Sequence, residues 1–174
     1  MFEPTLPPVR YGPHMAEAHD PSHPGDSVSL RIAATPEALY ELLSDPAQMG
    51  RLSPECRGGR WIGDAIGPVV GARFKGRNQR GIARWSTTNT VVEAEPGRAF
   101  AFETQQSGVR WSYRLEPDGD GTVVTESRAE FKDRPLIAKA FAAVLLGGIA
   151  DHEDELREGM QATLERLKAV AEGA

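Results

Sequence analysis
A chain of 174 residues, 40% hydrophobic and 26% charged, has enough apolar material for one domain with a real core. A formal net charge of −5 argues against a dedicated nucleic-acid binder. The lone cysteine, Cys56, excludes an internal disulfide and leaves nothing that requires an oxidising compartment.

Residues 1–25 carry His14, His19 and His23 among prolines and show no periodicity. Pro13, Pro21 and Pro24 prevent a helix from aligning the histidines on a metal, so the stretch reads as a disordered N-terminal extension. It also lacks the continuous apolar segment of a secretory signal. The longest apolar run, 136–150, contains Lys139 and is too short to span a bilayer. A cytoplasmic protein without stable membrane insertion is expected, built as one domain over 26–174, with no metal and no cofactor.

The domain opens on alternating Val28, Leu30 and Ile32, a strand pattern. Thr35 then caps a helix with Pro36 in its first turn and Ala38, Leu39, Leu42 and Leu43 at helical spacing, and Asp45-Pro46 ends it. A short second helix follows over about 46–52. Strands are predicted near 56–62, 71–80, 83–93, 98–105, 108–116 and 121–131, separated by Gly/Pro and Asp-Gly clusters, which is an antiparallel meander. After Pro135 the period changes. Ile137, Phe141, Leu145, Ile149, His152, Leu156, Met160, Leu164 and Leu167 recur every three or four residues, as on one long amphipathic helix, with Gly147-Gly148 as a place for a kink. A twisted meander curls readily and must bury one face against that helix.

The order and spacing of five segments carry a family resemblance: "TPEALYELLSDPAQMGRLSPEC", "GARFKGRNQRG", "RWSTTNTVVEAEPGRAFAFE", "RWSYRLEPDGDGTVVTES" and "TLERLKAVAE". Over about Asp26 to Glu172 the chain resembles the START-like, or SRPBCC, superfamily, in its polyketide cyclase/dehydrase and lipid-transport branch. The resemblance implies an α+β helix-grip fold of the START/Bet v 1 type: a curved antiparallel sheet of about seven strands around a long C-terminal helix. It also implies a ligand cavity between the two. Leu52 stands where the family usually has a tryptophan, which implies a differently shaped pocket mouth.

Each strand can be phased against such a hollow. Phe74, Gly76 and Asn78 would face inward and Arg73, Lys75 and Arg77 outward. In the hairpin, Trp85, Thr87 and Asn89 would face inward, with Phe100 and Phe102 on the second strand. Val109, Trp111, Tyr113 and Leu115 form the next apolar set, and by resemblance Val124, Glu126 and Arg128 also point in. Ligand-binding candidates are therefore Phe74, Asn78, Trp85, Asn89, Phe102, Trp111, Tyr113, Glu126, His152 and Leu156. For the aromatics, ordinary core packing is the competing reading.

Asn78 and Asn89 need partners in protein, water or ligand, because an unsatisfied buried amide costs roughly 1–3 kcal/mol. Glu126 is the one candidate for acid–base work, since a carboxyl in an apolar hollow has a raised pKa; an arginine partner or a solvent-facing phase is the alternative. His152 has no second ligand at helical spacing for a metal. Cys56 reads as a buried structural thiol. Arg57, Arg60, Arg73, Lys75, Arg77, Arg80 and Arg84 could bind acidic lipid or RNA, but without interleaved aromatics on their face they read as a solvated sheet exterior. The expected function is binding or transport of a small hydrophobic molecule such as a lipid, polyketide or aromatic metabolite. The alternatives are a cyclase or dehydratase using the same cavity, with enzyme status left open, and an interaction module whose cavity is vestigial.

Overall fold
The computed structural model describes residues 26–131 and 150–173, with the backbone alone for 150–156. Strand β1 (Asp26–Ile32) leads into helices α1 (Pro36–Ser44) and α2 (Met49–Leu52). Six strands follow: β2 (Cys56–Ile62), β3 (Arg73–Arg80), β4 (Ala83–Glu95), β5 (Ala99–Thr104), β6 (Val109–Asp118) and β7 (Gly121–Glu130). Helix α3 (Ala150–Ala171) comes last. The extension over 1–25 and the Gly147-Gly148 kink lie outside the described residues.

The local starts and stops follow from side-chain chemistry. Thr35 Oγ1 accepts a hydrogen bond from the Ala38 N–H at 3.3 Å, and Pro36 sits where an N–H would have no helical partner. Asp45 ends α1, and its carboxylate accepts from the Ala47 N–H at 2.9 Å. The chain then turns into α2, which lies against β2.

All seven strands form one antiparallel sheet in the order β1-β7-β6-β5-β4-β3-β2. The meander from β2 to β7 is thus completed by β1, which returns to pair with β7. One face of the sheet is covered. Its core holds Phe74, Val91, Phe100, Tyr113, Leu115 and Val124 together with Leu39, Leu43 and Leu52 from α1 and α2. Helix α3 contributes Leu164 and Leu167, packs along β1 and touches α1, α2 and β7. Its Arg166 donates to the Ser53 carbonyl, and Glu172 accepts from the Ala33 N–H, so the C-terminal end of α3 is tied to the segments that flank α1 and α2. This is the α+β helix-grip arrangement.

A β-bulge decides which side chains reach the covered face. Glu95, Ala94 and Glu93 pair with Ala99, Phe100 and Ala101, but Val91 then pairs with Phe102. Val92 is the extra residue. Without it the same ladder would set Val92 against Phe102 and turn Val91, Asn89, Thr87 and Trp85 to the opposite face.

Candidate functional site
Strand alternation and register bring two polar groups onto the covered face, one at each side of an aromatic row. Trp61, Phe74, Phe102 and Phe100 form the row, with successive ring centroids 5.6, 5.1 and 6.0 Å apart. Two of these contacts are edge-to-face, the arrangement that aromatic quadrupoles favour. Tyr40 of α1 meets Phe100 edge-on at 6.2 Å.

On the β3–β5 side lies a string of amides and hydroxyls. Thr104 Oγ1 donates to Asn89 Oδ1 at 2.8 Å, and Asn89 Nδ2 donates to Thr87 Oγ1 at 3.3 Å. Asn78 Nδ2 reaches the same Thr87 oxygen at 3.3 Å. The string needs Gly76. A Cβ there would sit 2.9 Å from Thr87 Oγ1 and 3.6 Å from Asn89 Nδ2, so only glycine leaves the hydroxyl its place. Asn89 is buried, at 3% exposure, and has a protein partner for both ends of its amide.

On the β6–β7 side Tyr113 stands directly across from Glu126. The phenol Oη donates to Glu126 Oε1 at 3.0 Å. Both side chains are buried, and Val28 is Glu126's neighbour on the other strand. Among the described residues Glu126 Oε2 has no hydrogen-bond partner. Burial raises the Glu126 pKa to about 8, with the Tyr113 hydrogen bond pulling the other way, so the carboxyl is mainly neutral at pH 7. Burial likewise lifts the Tyr113 phenol well above its ordinary value, helped by the nearby Glu126. The protonated pair can donate through the Glu126 hydroxyl or accept through its oxygens.

The remaining candidates divide plainly. Phe74 and Phe102 belong to the aromatic row. Trp85 lies opposite Asn78 and Trp111 opposite Phe102, on the same face and half-buried. Arg128 is buried at the end of β7, with Asp26 3.9 Å from its guanidinium. The helix backbone includes His152 and Leu156, but their side chains are outside the described residues. Cys56 is half-buried, and burial pushes its thiol up despite the Gly58 amide, Arg77 and Arg57. No group of three or more metal-ligating side chains occurs among the described residues.

Sequence reasoning turned Thr87 inward without making it a candidate, and missed Thr104 as a member of the string and Trp61 as the end of the row. Thr104 was not readable without the bulge. A regular hairpin continued from the Glu95–Ala99 pair sets Gln105, not Thr104, against Asn89. Trp61 could have been found by alternation from Gly59, had β2 been phased like its neighbours.

An open seven-stranded antiparallel sheet gripping a terminal helix, with polar groups set into an aromatic inner face, defines a ligand-binding scaffold of the SRPBCC kind. The family model for polyketide cyclase/dehydrase and lipid transport matches residues 27–172, and the chain belongs to that family. It is similar to the polyketide-cyclase-like protein Cgl2372 from Corynebacterium glutamicum, at 34% identity over 84% of this chain and 90% of that one, with a TM-score of 0.57. Two more distant structures share the fold. Protein BH1534 from Bacillus halodurans is 16% identical over 85% of this chain and 96% of its own, with a TM-score of 0.62. Protein Ms6760 from Mycobacterium smegmatis is 14% identical over 92% and 98%, with a TM-score of 0.60. None of the curated proteins matches the chain. Among the described residues no helix is long and apolar enough to cross a membrane.

Proposed function
We propose that this protein binds a small, largely apolar molecule between the inner sheet face and the last helix, and that Glu126 receives the molecule's one polar group. The observation behind this reading is Glu126 Oε2, a buried oxygen without a hydrogen-bond partner among the described residues, beside an aromatic wall. Buried polar atoms are nearly always satisfied, so an orphan next to apolar side chains suits a ligand carbonyl, hydroxyl or amine. The wall supplies affinity and the carboxyl sets orientation. Asn89 and Thr104 act differently in this reading, as a fixed polar floor whose bonds are already made.

The test is native mass spectrometry of the protein from its own host, followed by denaturing extraction. A bound mass released as one defined lipid, polyketide or aromatic compound is the expected result, with loss of most of that mass in Glu126→Leu. An apo mass, together with failure to take up any of a panel of such compounds, sinks the proposal.

The Tyr113–Glu126 pair also favours a second reading, an enzyme of the cyclase or dehydratase type. A carboxyl with a pKa near the operating pH can take a methylene proton and return it to an oxygen. Turnover of a poly-β-ketone that vanishes in Glu126→Gln while binding persists would select the enzyme over the carrier.

A further inference from the structure
The outer face of the sheet treats its cations in two ways. Across β1, β7, β6, β5 and the adjoining end of β4 they are matched: Arg110 with Glu103, Arg114 with Glu93, and Arg31 with Asp118 and Asp120. Over β2, β3 and the start of β4 they are not. Arg60, Arg73, Lys75, Arg77 and Arg84 are exposed and form no ion pair among the described residues. Among the described residues Arg77 donates to the Arg57 carbonyl, at 3.2 Å. Arg60 and Lys75 are direct cross-strand partners, a like-charge pair that works against the ladder it sits on. In a chain of net charge −5 this unmatched cluster is a local reversal of sign.

The cluster also has shape. Gly59, Arg60, Lys75, Arg77 and Ser86 line an open groove of about 380 Å³. At the Arg73 end of the same two strands, where Ile62 pairs with Arg73, the connecting loop exposes aliphatic side chains: Ile66 at 98%, Val69 at 62% and Val70 at 67%. Trp61, Phe74 and Trp85, the aromatics of β2, β3 and the start of β4, lie on the inner face, so among the described residues these strands offer no outward stacking platform for bases.

We infer that this corner of the sheet docks onto an anionic lipid bilayer, with the β3 cations on headgroup phosphates and the Ile66–Val70 loop tip in the interface. Fixed cations beside exposed aliphatic residues are the combination that a negatively charged membrane surface rewards, whereas a nucleic acid would reward cations with aromatics. Docking here is peripheral. It leaves the inner face untouched, so it stands or falls separately from the pocket reading.

The test is co-sedimentation of the full chain with vesicles of phosphatidylcholine alone or with about one-third phosphatidylglycerol, at low and high salt. Binding is expected to the anionic vesicles only, and to be released by salt. Lys75→Glu with Arg77→Glu should lower partitioning at least about tenfold, and Ile66→Ser with Val70→Ser by a smaller factor. All four positions are exposed, and circular dichroism with a thermal unfolding curve checks that each variant is folded. Wild-type protein that stays in the supernatant with both vesicles overturns the inference. So does equal binding to neutral vesicles, an unchanged partition in the charge-reversal variant, or preference for a short RNA over the anionic vesicles.

Discussion

The two polar regions of the inner face use similar chemistry to opposite ends. Around Asn89 every partner is internal: Thr104 donates to its carbonyl, its amide donates to Thr87, and Asn78 joins the same hydroxyl. Around Glu126 one oxygen is held by Tyr113 and the other has no partner among the described residues. A satisfied cluster adds to the fold and fixes strand positions. An unsatisfied group costs the fold free energy, and that cost is recovered only when something else binds. On the proposed function the comparison sets a structural cluster against a ligand-receiving group on one surface, and mutation should treat them differently.

The largest effect expected is on pH dependence at the Glu126 side. Its folded pKa of about 8 lies above the ordinary 4.5, so the folded chain holds this proton more tightly than the unfolded chain. The stabilisation is fully present below the unfolded value and is lost as pH rises through the folded one, a fall of roughly 2–5 kcal/mol between pH 4.5 and 9 from this group. Glu126→Gln keeps an acceptor for Tyr113 and cannot ionise, so its unfolding free energy should lack that fall. Denaturant titrations at pH 5 and pH 9 decide it. A wild type as stable at the higher pH as at the lower would break the comparison on this side.

Next in size is the Asn89 side. Asn89→Ala removes one partner from Thr104 and one from Thr87 in a buried setting, and should cost about 2–3 kcal/mol at every pH with no effect on ligand chemistry. If ligand retention fell as sharply as in Glu126→Leu while stability held, Asn89 would belong to the binding site instead. Gly76→Ala probes the same cluster more gently. The new Cβ would crowd Thr87 Oγ1 at 2.9 Å, and turning that side chain away should cost about 1–2 kcal/mol, read as a lower midpoint in the same titration.

How much of this was legible in the sequence follows from where the information resides. Turn chemistry at 63–72, 81–82, 96–98, 105–108 and 119–120 punctuates the chain so clearly that the predicted strand limits differ from the observed ones by only a few residues. Faces were legible where alternation is strict, as in Phe74, Gly76 and Asn78, or Val109, Trp111, Tyr113 and Leu115. They were not legible at Val91-Val92, because two adjacent β-branched apolar residues fit either phase, and only the bulge decides between them. Glu126 was turned inward by the family resemblance alone, because its sequence neighbours Thr125, Ser127 and Arg128 give no apolar alternation to phase it. Its bond to Tyr113 was not legible, because cross-strand partners depend on register between β6 and β7, which strand-by-strand periodicity does not contain. Pairing of charge on the outer face is hidden for the same reason. The sequence shows many arginines, and only the register separates those with carboxylates opposite them from those without.

The finest test of the comparison is Tyr113→Phe, which removes one hydroxyl and keeps the ring. The phenol's hydrogen bond is what holds the Glu126 pKa down against burial. Without it the carboxyl should stay neutral to still higher pH, and its Oε1 becomes a second orphan beside Oε2. At pH 6 the variant should lose only about 1 kcal/mol, the worth of one neutral hydrogen bond. The titration of the Glu126 side-chain carbon, followed by NMR, should move upward from the wild-type midpoint. A downward move would mean that the phenol hydroxyl favours the neutral carboxyl rather than the carboxylate. An unchanged midpoint would mean that the phenol does not touch Glu126 in solution, and the β6–β7 side would then resemble the Asn89 side, a packed core with no group held ready for a ligand.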